Sequence, residues 1–577
     1  MSGAQQETVQ PQARKHWLER KLPVLSWLSS YQKSSLRPDL LAGATVWAVV
    51  IPEAIAYAQL AGVPAQMGLF AAPFLMLGYV LFGTSRQLMV GATSASAIML
   101  ATTAGNVVQG SSANYPAVVT GITLLVGLLL LLLGLAHLGF VKNFLAEPIL
   151  TGFIFGLALV IGIGQVPKIL GLPRVEGDFF AKVWQVISHL GDTNGWTLLL
   201  GALSLALLFL LDHFWPRIPA SLVVVVGGIL AVSLFHLEQV GVAIVGAIPA
   251  GLPLPTFPML PLQTWLTALP DSFGIALVIY AEHISAAQQF ATRYHYDLDA
   301  DQELIALGIS NLGAGLFRGF LGGGSLSRSM VNDAAGGRTQ VVSLVASFLV
   351  IVTLLVLTPL FHNLPDAVLG AIILHAIWGL LRVKELRRYA RLRSLDLVLA
   401  LVALFGVLIF DILPGLLLAV VLSLAILIYR ASRPDGSVLG RVPGTEAYRD
   451  VARHPENETV PGLLIFRLDA PLFFANSALM RKRVKALVRS TSPRVHAVIL
   501  DLEASNDLDT SSVDMLMELA DDLKAEEIEI LLANVRGPVH DMLRRSQAIQ
   551  RIGEMQLFPS IGEAVAAFQH HAHEKSE

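Results

Sequence analysis

The chain has no cysteine among its 577 residues, which excludes disulfides, thiol catalysis and zinc–thiolate sites. Charge is also scarce. Only 14% of the residues are Asp, Glu, Lys or Arg, where a soluble domain carries about 25%. A net charge of -3 offers no basic excess, so no nucleic-acid partner is expected. Residues 1–39 lack the apolar core of a cleaved signal peptide. What the chain has in abundance is apolar: 54% of it is hydrophobic. That balance is expected of a polytopic membrane protein in a lipid bilayer.

About fourteen hydrophobic runs approach the length needed to span a bilayer. They cover residues 40–60 (broken near Pro52), 67–82, 90–105, 117–138, 144–163, 196–215 and 218–237. The second seven cover 265–290, 304–320, 325–336, 341–361, 367–381, 395–412 and 416–429. The third and the tenth are short and rich in small or polar residues. They hold the same place in each set of seven. Short, glycine-interrupted segments in corresponding positions are the trace of inverted repeats in a secondary transporter. The tenth begins after Gly322, Gly323 and Gly324 and carries Ser325, Ser327, Arg328 and Ser329. A polar, arginine-bearing piece at membrane depth must line protein or water. A helix starting there would present free N–H groups and a partial positive charge, which suits an anion.

Basic loops set the expected orientation. Arg14, Lys15, Arg20, Lys21, Lys33 and Arg37 precede the first run, among Trp17, Leu18, Leu22, Leu25, Trp27 and Leu28. Arg382, Lys384, Arg387, Arg388, Arg391 and Arg393 follow the twelfth. Both stretches, and therefore both termini, are expected on the cytoplasmic side of the inner (plasma) membrane. Residues 1–39 then form an N-terminal segment and 40–430 the transmembrane domain. Residues 431–458 read as a polar linker, and 571–577 as a tail. Between these, 459–570 alternates buried strands (GLLIFRLD, AVILDLEA, IEILLANV) with helices over 477–490, 511–525, 537–545 and 561–568. This is one small α/β domain, with Thr510 or Ser511 available to cap its second helix. The fold class is thus an all-α membrane domain plus a small cytoplasmic α/β domain.

Intramembrane acids are the other chemical signal. Glu53 follows Pro52 inside the first run, and Glu282 sits inside the eighth beside His283. A carboxylate is expensive to ionise away from water, so each can exchange a proton, as a coupling site must. The alternative for Glu53 is a protonated structural acid, bonded to backbone that Pro52 frees. Arg328 can supply positive potential to an anion or pair with an acid such as Glu282. Thr93 and Ser94 open the third run and can hydrogen-bond an oxyanion; small-residue helix packing is the competing role of that run. No metal site or cofactor is expected. Asp297, Asp299 and Asp301 alternate like a calcium loop, but Gln302 and Gly308 stand where its glycine and glutamate belong. Gly313, Gly315 and Gly319 miss the dinucleotide spacing. His570, His571 and His573 form a terminal tract rather than a metal site.

With these motifs the chain resembles the sulfate permease (SulP) family, prokaryotic relatives of animal solute-carrier family 26. The resemblance rests on RPDLLAGATVWAVVIPEAIAYAQLAGVPAQMGLF, GTSRQLMVGATSASA, DQELIALGISNLGAG and GGGSLSRSMVNDAAGGRTQ. The soluble region resembles the family's STAS domain through LDTSSVDML, where Thr510 stands in place of a phosphorylatable serine. The resemblance implies a seven-plus-seven inverted repeat. A core domain would move against a gate domain in an elevator-like, dimeric transporter rather than an enzyme. It implies substrate contacts at Glu53, Tyr57, Thr93, Ser94, Ser327 and Arg328, and ion coupling at Glu53 and Glu282. The run Gly91-Ala92-Thr93 lacks the proline or aromatic residue common after that glycine, so the size of the site is open. The expected function is proton-coupled transport of sulfate, a related oxyanion, bicarbonate or a dicarboxylate, with sodium the less favoured coupling ion. A passive anion channel, a nucleobase permease of the same fold and a membrane sensor are the alternatives. Nothing in the residues names a partner for the STAS domain.

Overall fold

The computed structural model describes residues 22–29, 31–109, 114–140, 146–175, 177–215, 218–410, 412–553 and 556–574. Arg14, Lys15, Trp17, Leu18, Arg20 and Lys21, expected at the membrane interface, lie outside the described residues. So do residues 575–577 of the 571–577 tail, whose first four residues continue the last helix. The chain divides into two compact units, Met1–Ser423 and Leu424–Glu577.

In the first unit, α1 (Pro23–Ser29) precedes α2 (Leu36–Leu60) and α3 (Ala65–Phe82). A short strand β1 (Met89–Gly91) leads into α4 (Ser94–Gln109). Then come α5 (Tyr115–Leu135), α6 (Glu147–Leu170), α7 (Phe179–Ser188), α8 (Gly195–Phe214) and α9 (Ala220–Phe235). The second half repeats the pattern. It runs α10 (Leu262–Tyr294), α11 (Ala300–Leu316), strand β2 (Gly323–Ser325) with α12 (Leu326–Ala334), and α13 (Val341–Val352). It closes with α14 (Asp366–Trp378), the short α15 (Val383–Leu392), α16 (Ser394–Phe410) and α17 (Ile412–Ser432). Among the described residues, eight helical spans are long and apolar enough to cross a bilayer, with four shorter apolar helices beside them. With α11 and α12 these account for fourteen segments. The third and tenth are each a strand followed by a partial-length helix.

Helix α11 packs on α5 and α3, and α13 packs on α2. A second group forms around α6, which packs on α16 and α14, with α8 against α14. The α5–α11 crossing is close because of two glycines. A Cβ on Gly308 would stand 2.6 Å from the backbone N of Leu131, and one on Gly127 2.8 Å from that of Leu312. Small residues at a crossing let helices gain van der Waals contact where lipid supplies no hydrophobic drive. Helix α8 exposes Leu199, Leu203, Leu207 and Leu210, the side chains that lipid solvates at no cost.

The second unit is a six-stranded sheet, in the order β4-β3-β5-β6-β7-β8. The strands are β3 (Gly436–Arg441), β4 (Tyr448–Asp450), β5 (Leu463–Leu468), β6 (Ala497–Asp501), β7 (Glu529–Ala533) and β8 (Leu557–Phe558). Strands β5 to β8 are parallel, and β3 pairs antiparallel with both β5 and β4. The stretch 431–458, expected as a linker, therefore contributes two strands to the sheet. Its turn residues sit between those strands and hide their short apolar pattern. Helices α18 (Ser477–Ser490), α19 (Thr510–Ala525), α20 (Gly537–Arg545) and α21 (Ala548–Ile552) share a core with Leu464, Phe466, Val498, Leu500, Ile530 and Leu532. The alternate strand residues Leu463, Ile465, Ile499 and Leu531 pack with α22 (Ile561–Glu574). Both faces of the sheet are buried, so its strands read as continuous apolar runs.

The cap of α19 is neither Thr510 nor Ser511. Asp509 caps it, accepting bonds from Ser512 N at 2.8 Å and Ser512 Oγ at 2.6 Å. Burial works to raise the Asp509 pKa, but the Ser512 hydroxyl and amide bonds and that from Phe474 N prevail and hold it below the usual carboxylate range. Thr510 is the exposed first residue of the helix.

Candidate functional site

The two short strands pair with each other. Met89 lies opposite Ser325, Val90 opposite Gly324 and Gly91 opposite Gly323, in antiparallel register. Each strand leads directly into a partial-length helix, so the N-termini of α4 and α12 flank a two-stranded ribbon inside the membrane unit. Glycine is needed where this ribbon meets its neighbours. A Cβ on Gly322 would fall 2.5 Å from the carbonyl carbon of Gly91, and one on Gly91 would fall 2.1 Å from Arg328 Nη1.

Polar side chains take up the backbone groups that these breaks expose. Asn311 brackets Gly322, donating to its carbonyl at 3.0 Å and accepting from its N–H at 2.9 Å. Ser329 Oγ accepts from Met89 N at 2.8 Å. Asn332 donates to Gln87 O at 2.9 Å, and Gln340 donates to Ser85 O and Leu88 O at 2.9 Å each. Buried backbone without such partners would cost several kcal/mol per group in hydrocarbon, so much of the polarity of these segments serves the fold.

The helix starts are capped. Thr93 Oγ1 accepts from Ser96 N at 3.1 Å, and Ser96 Oγ accepts from Thr93 N at 3.0 Å, a reciprocal capping arrangement. Ser325 Oγ accepts from Arg328 N at 3.4 Å and lies 3.1 Å from Ser327 Oγ. The first-turn amides of Ser94, Ala95, Leu326 and Ser327 have no intrahelical acceptor by the geometry of a helix start. Ser94 and Tyr57 are both buried, and among the described residues neither hydroxyl has a protein hydrogen-bond partner. Thr93, by contrast, spends its hydroxyl on the cap.

Arg328 joins the pieces. It is 4% exposed, donates through Nη2 to Ala92 O, and its Nε lies 3.2 Å from Glu53 Oε2. The Glu53 contact is an ion pair without hydrogen-bond alignment, since neither atom has a bonded partner. The acid that pairs with Arg328 is thus Glu53 from α2, not Glu282, the acid named from sequence. Glu282 lies elsewhere on α10, within electrostatic reach of Arg382. Gly91→Ala would drive a methyl group into the guanidinium. It is expected to cut transport at least about tenfold, read as flux in proteoliposomes, while the variant still purifies as a folded protein.

One buried acid escaped the sequence reading. Glu303, on α11, is fully buried. It accepts from Tyr79 OH at 2.9 Å, Thr84 N at 2.7 Å and Thr84 Oγ1 at 2.6 Å, and His283 Nε2 stands 2.6 Å away. His283, the neighbour of Glu282, is the partner of this acid. Glu303 lies just ahead of the run counted as the ninth span, where an acid reads as interfacial. Its position three residues into a helix whose preceding Asp299 is the cap is the signal that places it within the helix.

The sequence profile of the sulfate permease family matches residues 36–403, and that of the STAS domain matches 454–564. A probable sulfate transporter of Mycobacterium tuberculosis is 36% identical over 539 residues, covering 93% of this chain and 96% of its own. Sulfate transporter 3.1 of Arabidopsis thaliana is 31% identical, covering 96% and 87%. Among solved structures, the murine solute carrier 26 family member A9 anion transporter, in its inward-facing state, superposes with a TM-score of 0.89. It is 27% identical, covering 98% of this chain and 97% of that one. The transmembrane domain of a cyanobacterial bicarbonate transporter, at 22% identity and a TM-score of 0.60, shares the fold over 67% of this chain. With the broken segments paired, the arginine and acid between them and these matches along nearly its whole length, the chain belongs to the sulfate permease family, as a membrane anion transporter with a C-terminal STAS domain.

Proposed function

We propose that the protein is a proton-coupled secondary transporter of a small oxyanion, with sulfate the first candidate. The observation that carries this is the Arg328–Glu53 pair set between the N-termini of α4 and α12. With Glu53 ionised, Arg328 is neutralised by its partner. Protonating Glu53 removes that partner and leaves the arginine charge to balance an arriving anion. Proton and anion then favour each other's binding, which is the linkage a symporter needs. The anion is held by the hydroxyls of Tyr57, Ser94 and Ser327 and by the first-turn amides of both helices. Thr93 contributes through its cap, which fixes the start of α4. Glu282 is a second coupling candidate, and a proton suits both acids better than sodium.

Helices α2 to α5 and α10 to α13, of which α2, α4, α10 and α12 bear these residues, form the core that carries the site. The remainder, grouped on α6, α8, α14 and α16, forms the gate, and the core moves against it in elevator fashion within 40–430. The protein is placed in the inner membrane with both termini cytoplasmic, as a homodimer. The STAS domain, over 459–570, regulates transport through a partner, with Thr510 exposed for phosphorylation at a helix start that would welcome the charge. A nucleobase permease would need paired carboxylates free to read ring N–H groups, whereas here Glu53 is engaged by an arginine.

Purified protein in proteoliposomes should accumulate labelled sulfate when the pH outside is lower than inside. Bicarbonate and dicarboxylates are compared as competitors, and uracil should not compete. Single-channel currents, or uptake indifferent to the pH gradient, would reject the coupled mechanism in favour of a channel.

A further inference from the structure

A cavity of about 980 Å³ opens beside the C-terminal ends of α2, α4 and α6 and the start of α14. Lys168, Arg174 and Lys182 line it, together with Asp178 and Asp366. Among the described residues no carboxylate lies within 4 Å of any of the three cations. Asp178 caps the start of α7, where it accepts from Ala181 N at 2.7 Å. Asp366 accepts from Gln59 Nε2 at 2.8 Å, and Gln59 Oε1 in turn accepts from Lys168 Nζ at 2.9 Å. Lys168 therefore has a neutral amide oxygen as its contact, with two of its three ammonium protons left over. Against these three cations the described lining sets two carboxylates, neither within 4 Å of them, so the cavity keeps one net positive charge and Lys168 lacks a direct anionic partner. The lining of α4 runs from Asn106 back to Ile98, about one turn from Ser94. The cavity thus reaches toward the central site.

We propose that this cavity is a second anion-binding site, in which Lys168, with Arg174 and Lys182, captures a small oxyanion on its way to or from the site at Ser94 and Ser327. The anion completes the coordination of Lys168 Nζ, and Asp366 competes with it for the same charge through Gln59. Low-dielectric walls focus the field of the three cations and raise the local anion concentration. That the captured anion is the one transported rests on the function proposed above; the cationic cavity does not.

Two measurements on the full-length protein test this. In uptake of labelled sulfate, Lys168→Met should raise KM about fivefold or more, Lys168→Arg should stay near wild type, and Asp366→Asn should lower KM. If Lys168→Met and Asp366→Asn instead change uptake in the same direction, the Lys168–Gln59–Asp366 bridge is only a latch between helices and the proposal falls. The second measurement does not need transport. Sulfate should still raise the Tm of purified Ser94→Ala/Ser327→Ala protein, by mass action at the remaining site, and adding Lys168→Met should abolish that rise. No rise in the double variant, or one indifferent to Lys168, overturns the proposal. A Lys168-dependent rise in a wild-type protein that carries no anion would instead overturn the function proposed above.

Discussion

Glu53→Gln is expected to reduce pH-driven sulfate uptake by about 100-fold or more. Two effects act together. Glutamine cannot carry a proton, so the gradient loses its handle on the site. Removing the carboxylate also leaves Arg328 buried without its ion-pair partner, which costs about 3–5 kcal/mol, and about 1.4 kcal/mol corresponds to tenfold. The guanidinium is then free to hold an anion too tightly or to swing off the Ala92 carbonyl. The two contributions separate in a double variant. Glu53→Gln keeps the arginine charge that balances the anion, so exchange of sulfate for sulfate should survive in it better than pH-driven accumulation, whereas Glu53→Gln/Arg328→Gln loses that charge and should lose exchange as well. Full pH-driven accumulation in Glu53→Gln would end the coupling role of this residue.

Glu303→Ala is expected to be the most destabilising single change in the membrane unit, at about 3–5 kcal/mol. It strands Tyr79 OH, Thr84 N, Thr84 Oγ1 and His283 Nε2, all of which point at the missing carboxylate. These groups belong to α3, the turn before β1, and α10. The loss therefore loosens three elements that position the ribbon at once. The check is thermal unfolding of the purified protein, with a fall of several degrees expected. Glu303→Gln keeps two lone pairs for Thr84 and should fall less. Because Glu303 holds the frame rather than the coupling proton, Glu303→Gln should keep the pH dependence of uptake that Glu53→Gln loses. An unchanged Tm in Glu303→Ala would refute the structural role.

The site residues differ in how they could be found. Tyr57 and Ser94 emerge with free hydroxyls, as a ligand role requires. Thr93 and most of the small polar residues around it proved to cap helices or to satisfy backbone. Both roles draw on the same residue types, because an oxyanion and an exposed amide ask for the same hydroxyls. Sequence position alone cannot separate them; the partner atom does. For Arg328 the sequence offered Glu282 as a partner acid, and only the crossing of α2 with α12 brought Glu53 to it instead.

By itself, the sequence determined the membrane class, the fourteen segments, the matching short third and tenth, the acids Glu53 and Glu282 within the first and eighth, and the α/β character of the C-terminal unit. These follow from hydrophobic periodicity and run length, which are local properties of the chain. Tertiary structure decided the rest. It paired Met89 with Ser325, set Arg328 between Glu53 and Ala92, tied His283 to Glu303, and drew β3 and β4 into the STAS sheet. Each of these joins residues far apart in the chain, or depends on a strand too short to show a period. Such contacts are chosen by which polar groups would otherwise be buried unpaired, and that is settled only when the helices pack.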